Sequence, residues 1–242
     1  MELYNDDCFN VFPLIKDKVQ LFLVDLPYEI TGLEWDKKID LNKMWKHIIP
    51  ISHTNAIYIF FCNMALGNEL INSKKKWFSE DLIWVKNNST TFFQSKILHL
   101  KKHEYILVFK NKRHIRKKEP KRKKYIYNYQ KTGEKKDKIK RVISTHKNGI
   151  YKGACKETII DGTKYPTTIL KYGYDKKRFH STQKPQLLLE YLIKTYSNEN
   201  DIVCDFTMGS GSTGLACKKL NRKFIGIELN KEIFQTAKKR IH

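Results

Sequence analysis

Two short segments carry residue types at spacings that can do chemistry. The first is Asp25-Leu26-Pro27-Tyr28, which follows directly on the apolar run 19–25. An exocyclic amino group has two N–H bonds and a lone pair delocalised into its ring. The Asp25 carboxylate can accept one N–H, and a backbone carbonyl at Leu26 or Pro27, held stiffly by the proline, can accept the other. Two acceptors draw the nitrogen toward tetrahedral geometry and expose its lone pair. Tyr28 offers a flat face on which an extruded base can stack. The same four residues also suit an ordinary polar strand-to-loop turn, so the reading depends on its surroundings.

The second segment runs from Asp205 and Phe206 through Gly209-Ser210-Gly211-Ser212-Thr213-Gly214, a GxGxxG pattern between an expected strand and an expected helix. Glycines let the chain turn sharply and let backbone approach a ligand closely. Glu228 falls at the end of the next strand, about 20 residues beyond the glycines, the spacing that sets a carboxylate on ribose hydroxyls. Strand, glycine turn, helix, strand and acid in this order point to a nucleoside cofactor.

The elements that must hold these segments follow from periodicity and punctuation. Strands are expected at 2–4, 19–25, 55–61, 82–86, 104–110, 201–206 and 224–228, each a compact apolar run. Helices are expected at 8–16, where Pro13 intervenes, and at 41–49, 185–196, 212–220 and 231–241; Pro185 sits in the first turn of its helix. Strands alternating with helices make an α/β parallel sheet. Only about 30 residues follow the glycine turn. The rest of the sheet must therefore come from earlier in the chain, with 2–4 beside 224–228. That is a circularly permuted, Rossmann-like, doubly wound and mostly parallel sheet.

Composition bears on the partner. The chain of 242 residues holds 47 Lys and Arg against 25 Asp and Glu, a formal charge of +22. Such an excess calls for an anionic partner, and nucleic acid is the leading one. Much of the excess lies in 111–178, read as a basic insertion outside the sheet. There Arg122, Lys123 and Lys124 are candidates for phosphate contacts, and Tyr125, Tyr127 and Tyr129 for flat faces. The five cysteines form no CxxC pair and no zinc-finger spacing, so no metal is expected and the thiols are read as reduced and mostly buried. No signal peptide and no membrane-length apolar run is read, which places the chain inside the cell, associated with DNA.

Together these residues resemble the DNA amino-methyltransferases, and the likeness covers most of the chain. Asp25-Leu26-Pro27-Tyr28 resembles their DPPY motif, with Leu26 where the first proline usually stands. Asp205-Phe206 and the glycines resemble their FxGxG cofactor motif. His180-Ser181-Thr182-Gln183-Lys184-Pro185 resembles the HPTQKP segment, with Ser181 for its proline. Gly226 to Asn230 resembles the stretch bearing the ribose acid, and Asn5-Asp6-Asp7-Cys8 resembles the GDC opening. His103-Glu104-Tyr105 also has a family look. The order of motifs resembles the β group, whose target-recognition region lies between the two halves.

The resemblance implies S-adenosylmethionine as cofactor and transfer of its methyl group to N6 of adenine in double-stranded DNA. It implies catalysis at Asp25, Leu26, Pro27 and Tyr28 by direct transfer to a flipped base. Cofactor contacts fall on Asp7, Thr182, Lys184, Asp205, Phe206, Gly209, Gly211, Ser212, Thr213 and Glu228. Residues 1–110 become the catalytic half, 111–178 the target-recognition insertion and 179–242 the cofactor half. The resemblance allows a homodimer and a cognate restriction endonuclease as further partners. The alternatives are an N4-cytosine DNA methyltransferase, or a nucleic-acid-binding relative with weak catalysis, which Leu26 would favour.

Overall fold

The computed structural model describes residues 1–27, 38–111, 125–133, 139–142, 157–160, 162–176, 179 and 183–242; in 139–142 and 157–160 only the backbone is described. Tyr28, Arg122, Lys123, Lys124 and Thr182 lie outside the described residues. The chain divides into a larger unit, Met1–Asn128 with Thr168–His242, and a smaller one, Tyr129–Thr167.

The larger unit is built on eight strands: β1 (Glu2–Tyr4), β2 (Val19–Asp25), β3 (Ser52–Cys62), β4 (Phe78–Thr90), β5 (Lys101–Lys110), β8 (Ile169–Lys171), β9 (Ile202–Asp205) and β10 (Lys223–Ile227). Their order across the sheet is β1-β10-β9-β2-β3-β5-β4-β8. From β1 to β3 every pair is parallel. Only β5 runs against its neighbours β3 and β4, and β8 is again parallel to β4. The expected permutation is present: Glu2, Leu3 and Tyr4 pair with Ile225, Gly226 and Ile227.

Alternation along each strand separates two cores. Phe22 and Val24 of β2, with Tyr58 and Phe60 of β3, face a layer formed by α1 (Cys8–Val11), α2 (Leu41–Ile51) and α3 (Met64–Ser73). Leu21 and Leu23, with Ile57, Ile59 and Phe61, face α4 (Gln186–Tyr196), α5 (Ser212–Lys219) and α6 (Lys231–Ile241). Buried on both faces, these strands read as unbroken apolar runs. Among the described residues no helix is long and apolar enough to cross a membrane.

Several expectations need adjustment. The helix read over 8–16 is a single turn, Cys8–Val11, continued by a 3-10 turn at Phe12–Leu14 that contains Pro13. Helix α3 had no counterpart in the sequence reading; its start is capped by Asn63, whose side chain accepts from the Leu66 amide. Part of the stretch read as outside the sheet belongs to it, since β8 covers the edge strand β4. Only Leu170 of the three residues of β8 is buried, so the segment carries no apolar run to reveal it. Residues 125–128 also pack within the larger unit: Asn128 bonds to the carbonyls of Lys194, Thr195 and Ser197.

In the smaller unit β6 (Ile139–Val142) pairs antiparallel with β7 (Glu157–Ile160), and Thr132 bridges Lys164.

Close packing around β10 gives a stability prediction. A Cβ on Gly226 would lie 2.5 Å from Phe224 Cε1 and would also strike the Met208 sulfur. Gly226→Ala should therefore destabilise the fold by about 1–3 kcal/mol, as overpacked cores do. The midpoint of urea unfolding checks this.

Candidate active site

The parallel pairing of β2 with β9 decides where the site lies. Phe22 pairs with Cys204, so Asp25 and Asp205 end adjacent strands on the same edge of the sheet. The chain leaves these two strands in opposite directions across the sheet, and open α/β sheets bind ligands in the crevice at that point. The Thr207 hydroxyl donates to the Asp25 carbonyl at 2.9 Å and fastens the two strand ends together.

A cavity of about 560 Å³ opens here, wholly within the larger unit. Of the described residues named above, Asp7, Asp25, Leu26, Pro27, Lys184, Asp205, Phe206, Gly209, Ser212, Thr213 and Glu228 all line it. The structure thus brings together two segments some 180 residues apart. Leu26 turns its side chain into the core, 3% exposed, which gives a packing role to the residue that departs from the motif.

Backbone amides fix the acids on the β9–β10 side. Glu228 Oε2 accepts from the Gly209 amide at 3.0 Å, and Oε1 accepts from the Asn230 amide at 2.9 Å. Asp205 accepts from the Thr213 hydroxyl at 2.7 Å and the Thr207 amide at 3.2 Å. Burial pushes the Asp205 carboxyl up to about 7, and the nearby charges of Asp25 and Glu228 add to the rise. Asp7 caps α1 through the Phe9 amide. The Asn5 side chain donates to the carbonyls of Glu228 and Leu229 and ties the end of β1 to that of β10.

Gly211 has a different role from the expected close approach to a ligand. It does not line the cavity. Its φ of +81° and the atoms a Cβ would meet, Ile241 Cδ1 at 2.9 Å and Ala237 Cα at 3.2 Å, tie it to packing against α6. Arg240 of α6 donates to the carbonyl and hydroxyl of Ser210, steadying the same turn.

The β2 side holds a chain of four charges. Lys184 Nζ donates to Asp25 Oδ2 at 2.6 Å and lies 3.3 Å from Glu104 Oε2. Glu104 Oε1 is paired in turn with Lys86. Lys184, expected on the cofactor side, thus has its ammonium on the residue expected to hold the amine. Burial pushes Lys184 down, but Asp25 and Glu104 outweigh it and raise the ammonium above its ordinary range. Burial pushes Glu104 up, and the ammoniums of Lys184 and Lys86 outweigh it and hold the carboxyl below its ordinary value. Phe61 and Trp84 present rings beneath Lys184 and Lys86. Lys86 escaped the sequence reading. Glu104 was noticed only for the segment it stands in; a Glu two positions ahead of the buried run Ile106–Phe109 in a strand was the available signal.

Tyr125 and Tyr127, expected at nucleic acid, stand away from this cavity. The Tyr125 hydroxyl donates to the Asn111 carbonyl, and Tyr127 packs on Tyr196. The described cysteines 8, 62, 204 and 217 are buried. Burial pushes the thiols of Cys8 and Cys62 up to about 12, which disfavours the thiolate that nucleophilic chemistry needs.

The cavity is acidic although the chain is strongly basic. Its described lining holds Asp6, Asp7, Asp25, Asp40, Glu104, Asp205 and Glu228 against Lys38, Lys86 and Lys184. A pyrophosphate would meet repulsion here, whereas ribose hydroxyls and a cationic centre would find acceptors. Permuted sheet, acids fixed by backbone amides and an ordered aspartate at the switch point give the α/β domain of a methyltransferase type. The family model of the N6/N4 DNA methylases matches residues 19–239, and the chain belongs to that family. It is 27% identical to the type II methyltransferase M1.MboII of Moraxella bovis over 98% of this chain and 94% of that protein. The solved structure of an M1.HpyAVI-SAM complex superposes with a TM-score of 0.67 at 29% identity, covering 99% of this chain and 98% of that one. The cytosine-N4-specific PvuII DNA methyltransferase shares the fold, with a TM-score of 0.65 at 12% identity over 99% of this chain and 86% of that one.

Removing one member of the charge chain should be costly. Lys184→Met leaves Asp25 without its cation and Glu104 with Lys86 alone, and loss of one partner of a buried pair costs about 3–5 kcal/mol. Because the folded state holds the Glu104 carboxyl below its ordinary value, the contribution is present above the unfolded carboxylate pKa. It is lost as pH falls through the lowered folded one. The stability gap between parent and variant should therefore be full at neutral pH and shrink in acid, as urea unfolding at several pH values will measure.

Proposed function

We propose that this DNA methylase transfers a methyl group from S-adenosylmethionine to the N6 amino group of adenine in double-stranded DNA. The observation that carries the reading is the Asp25 carboxylate, fixed by Lys184 at 2.6 Å, in the same cavity as Glu228. The similarity to the M1.HpyAVI-SAM complex supports the cofactor. The bound cofactor supplies an electrophilic methyl on a sulfonium. Its ribose hydroxyls suit the Glu228 carboxylate, whose oxygens the Gly209 and Asn230 amides already orient. Asp7, Phe206, Ser212 and Thr213 line the same cavity and would hold the rest of the cofactor.

The target base is taken out of the stack, because its amino group is out of reach inside a duplex. Asp25 accepts one N6–H, and the 26–27 backbone accepts the other. A carboxylate has about four lone-pair positions, so Asp25 can hold Lys184 and the amine together. The nitrogen lone pair then points at the methyl. Methyl transfer to that lone pair would leave the sulfur as a neutral thioether, and the proton that N6 loses would pass to the Asp25 carboxylate or to solvent. Catalysis rests on position and on charge fixed in advance, without a covalent intermediate. Tyr28 is assigned the stacking face. Adenine is favoured because the resemblance associates aspartate at the first motif position with that base.

Two experiments test this reading. Asp25→Ala should abolish methyl transfer, lowering turnover at least about a thousandfold as loss of a key transition-state group does, while cofactor affinity stays within a few fold. Nucleoside analysis of DNA treated with the parent chain should give N6-methyladenine. N4-methylcytosine as the main product would move the chain to the other base, and near-normal turnover by Asp25→Ala would overturn the site.

The run Arg122-Lys123-Lys124 is assigned to phosphate contacts that position the duplex without reading it. Changing all three to Ala should weaken binding to every DNA sequence alike and flatten its salt dependence, with cofactor binding unchanged. Filter binding across a salt series measures both.

A further inference from the structure

Residues 91–100 join β4 to β5, and their apolar side chains face solvent. Phe92 is 78% exposed, Phe93 84%, Ile97 79% and Leu98 61%. The connection is nonetheless ordered by its own backbone. Gln94 bonds back to Thr91, Ser95 to Phe92, and Ile97 and Leu98 to Gln94, all at 2.9–3.0 Å. Thr91 begins the turn with a φ of 64°, a left-handed conformation that β-branched residues rarely adopt. A strained, self-supported turn is thus spent on holding two phenyl rings away from the core.

Strand direction fixes where these rings stand. β4 runs antiparallel to β5, and β5 antiparallel to β3, so β4 ends on the same edge of the sheet as Asp25. Thr90, the last residue of β4, lines the cavity and pairs with Lys101. The tip therefore starts from the mouth of the site.

Charge selects the partner. Between Asp81 and Glu104 the chain has no acidic residue, while Lys96, Lys101 and Lys102 flank the apolar tip. All three lysines are exposed. Two copies of this tip brought together would crowd like charges, whereas a polyanion offers them counter-charges. Apolar side chains on a cationic mount are the equipment by which proteins enter a base stack.

We propose that the 91–100 tip, led by Phe92 and Phe93, is a wedge that enters the DNA base stack beside the target and fills the space left by the extruded base. This rests on the DNA-methylation reading above. A filled gap stabilises the open duplex, so the wedge acts on extrusion and not on the cofactor.

The test compares Phe92→Ala/Phe93→Ala with the parent on oligonucleotide duplexes carrying the site mapped in cells that express the chain. In one duplex the target base is paired, and in the other it is mismatched. A mismatched base costs less to extrude, so dependence on the wedge should shrink there. The expected result is a loss of at least about tenfold in kcat/KM on the paired duplex and less than about threefold on the mismatched one. Phe92→Leu/Phe93→Leu should recover most of the loss, and cofactor affinity and sedimentation should match the parent. Equal losses on both duplexes would overturn the wedge. So would a change of oligomeric state in the Ala variant, which would assign the tip to a second copy of the chain. A parent that methylates neither duplex would instead refute the DNA-methylation reading, and the wedge with it.

Discussion

The ammonium of Lys184 is what lets two carboxylates share one wall of the cavity. Without it, Asp25 would lose its cation and Glu104 would keep only Lys86, and repulsion between the two carboxylates would favour a neutral one. A neutral Asp25 could donate a proton to an amine nitrogen, but it would be a poorer acceptor of N–H bonds. Lys184 itself is held from the far side by Glu104, and Glu104 by Lys86. The four charges alternate in sign and sum to zero. The cavity therefore carries a salt-bridged carboxylate at low net local charge, at the end of a strand whose neighbour leads into the glycine turn.

Charge is partitioned over the whole molecule on the same logic. The cavity is lined mainly by acids, while the chain as a whole carries +22. A basic exterior gathers polyanions, and an acidic interior rejects phosphate while accepting hydroxyls and a cation. The two fields do not conflict, because at physiological salt exposed charges are screened within about 8 Å. A duplex held at the surface and a small cationic cofactor held inside can thus be attracted by the same protein.

Much of this was legible in the sequence because it depends on local rules. Val19–Asp25 was read with its observed bounds, since a strand buried on both faces is a continuous apolar run with sharp ends. The glycine turn and Glu228 were read from spacing, and the place of β1 from the order of elements. What escaped depends on distance. Nothing local marks Lys86, and the place of Glu104 ahead of a buried run does not name its partners, because both roles are set across β4, β5 and the segment before α4. Lys184 was read through its neighbours in the motif, whereas its ammonium goes to a residue 159 positions away. Gly211 was read as making room for a ligand, and the contact that demands a glycine is instead with α6. The strand β8 and the packing of residues 125–128 also rest on partners that no periodicity records.

The pairing of Leu21 with Val203 has a consequence for the making of the protein. On a ribosome adding about 5–20 residues per second, the partner of β2 emerges roughly 10–40 s after β2 itself. During that interval the apolar strand, which ends fully buried, keeps one hydrogen-bonding edge open to any other nascent chain. The long lysine-rich stretch synthesised in between would keep such chains apart by repulsion until β9 arrives. The same lysines would then act early, as an internal guard against aggregation while β2 waits for its second neighbour.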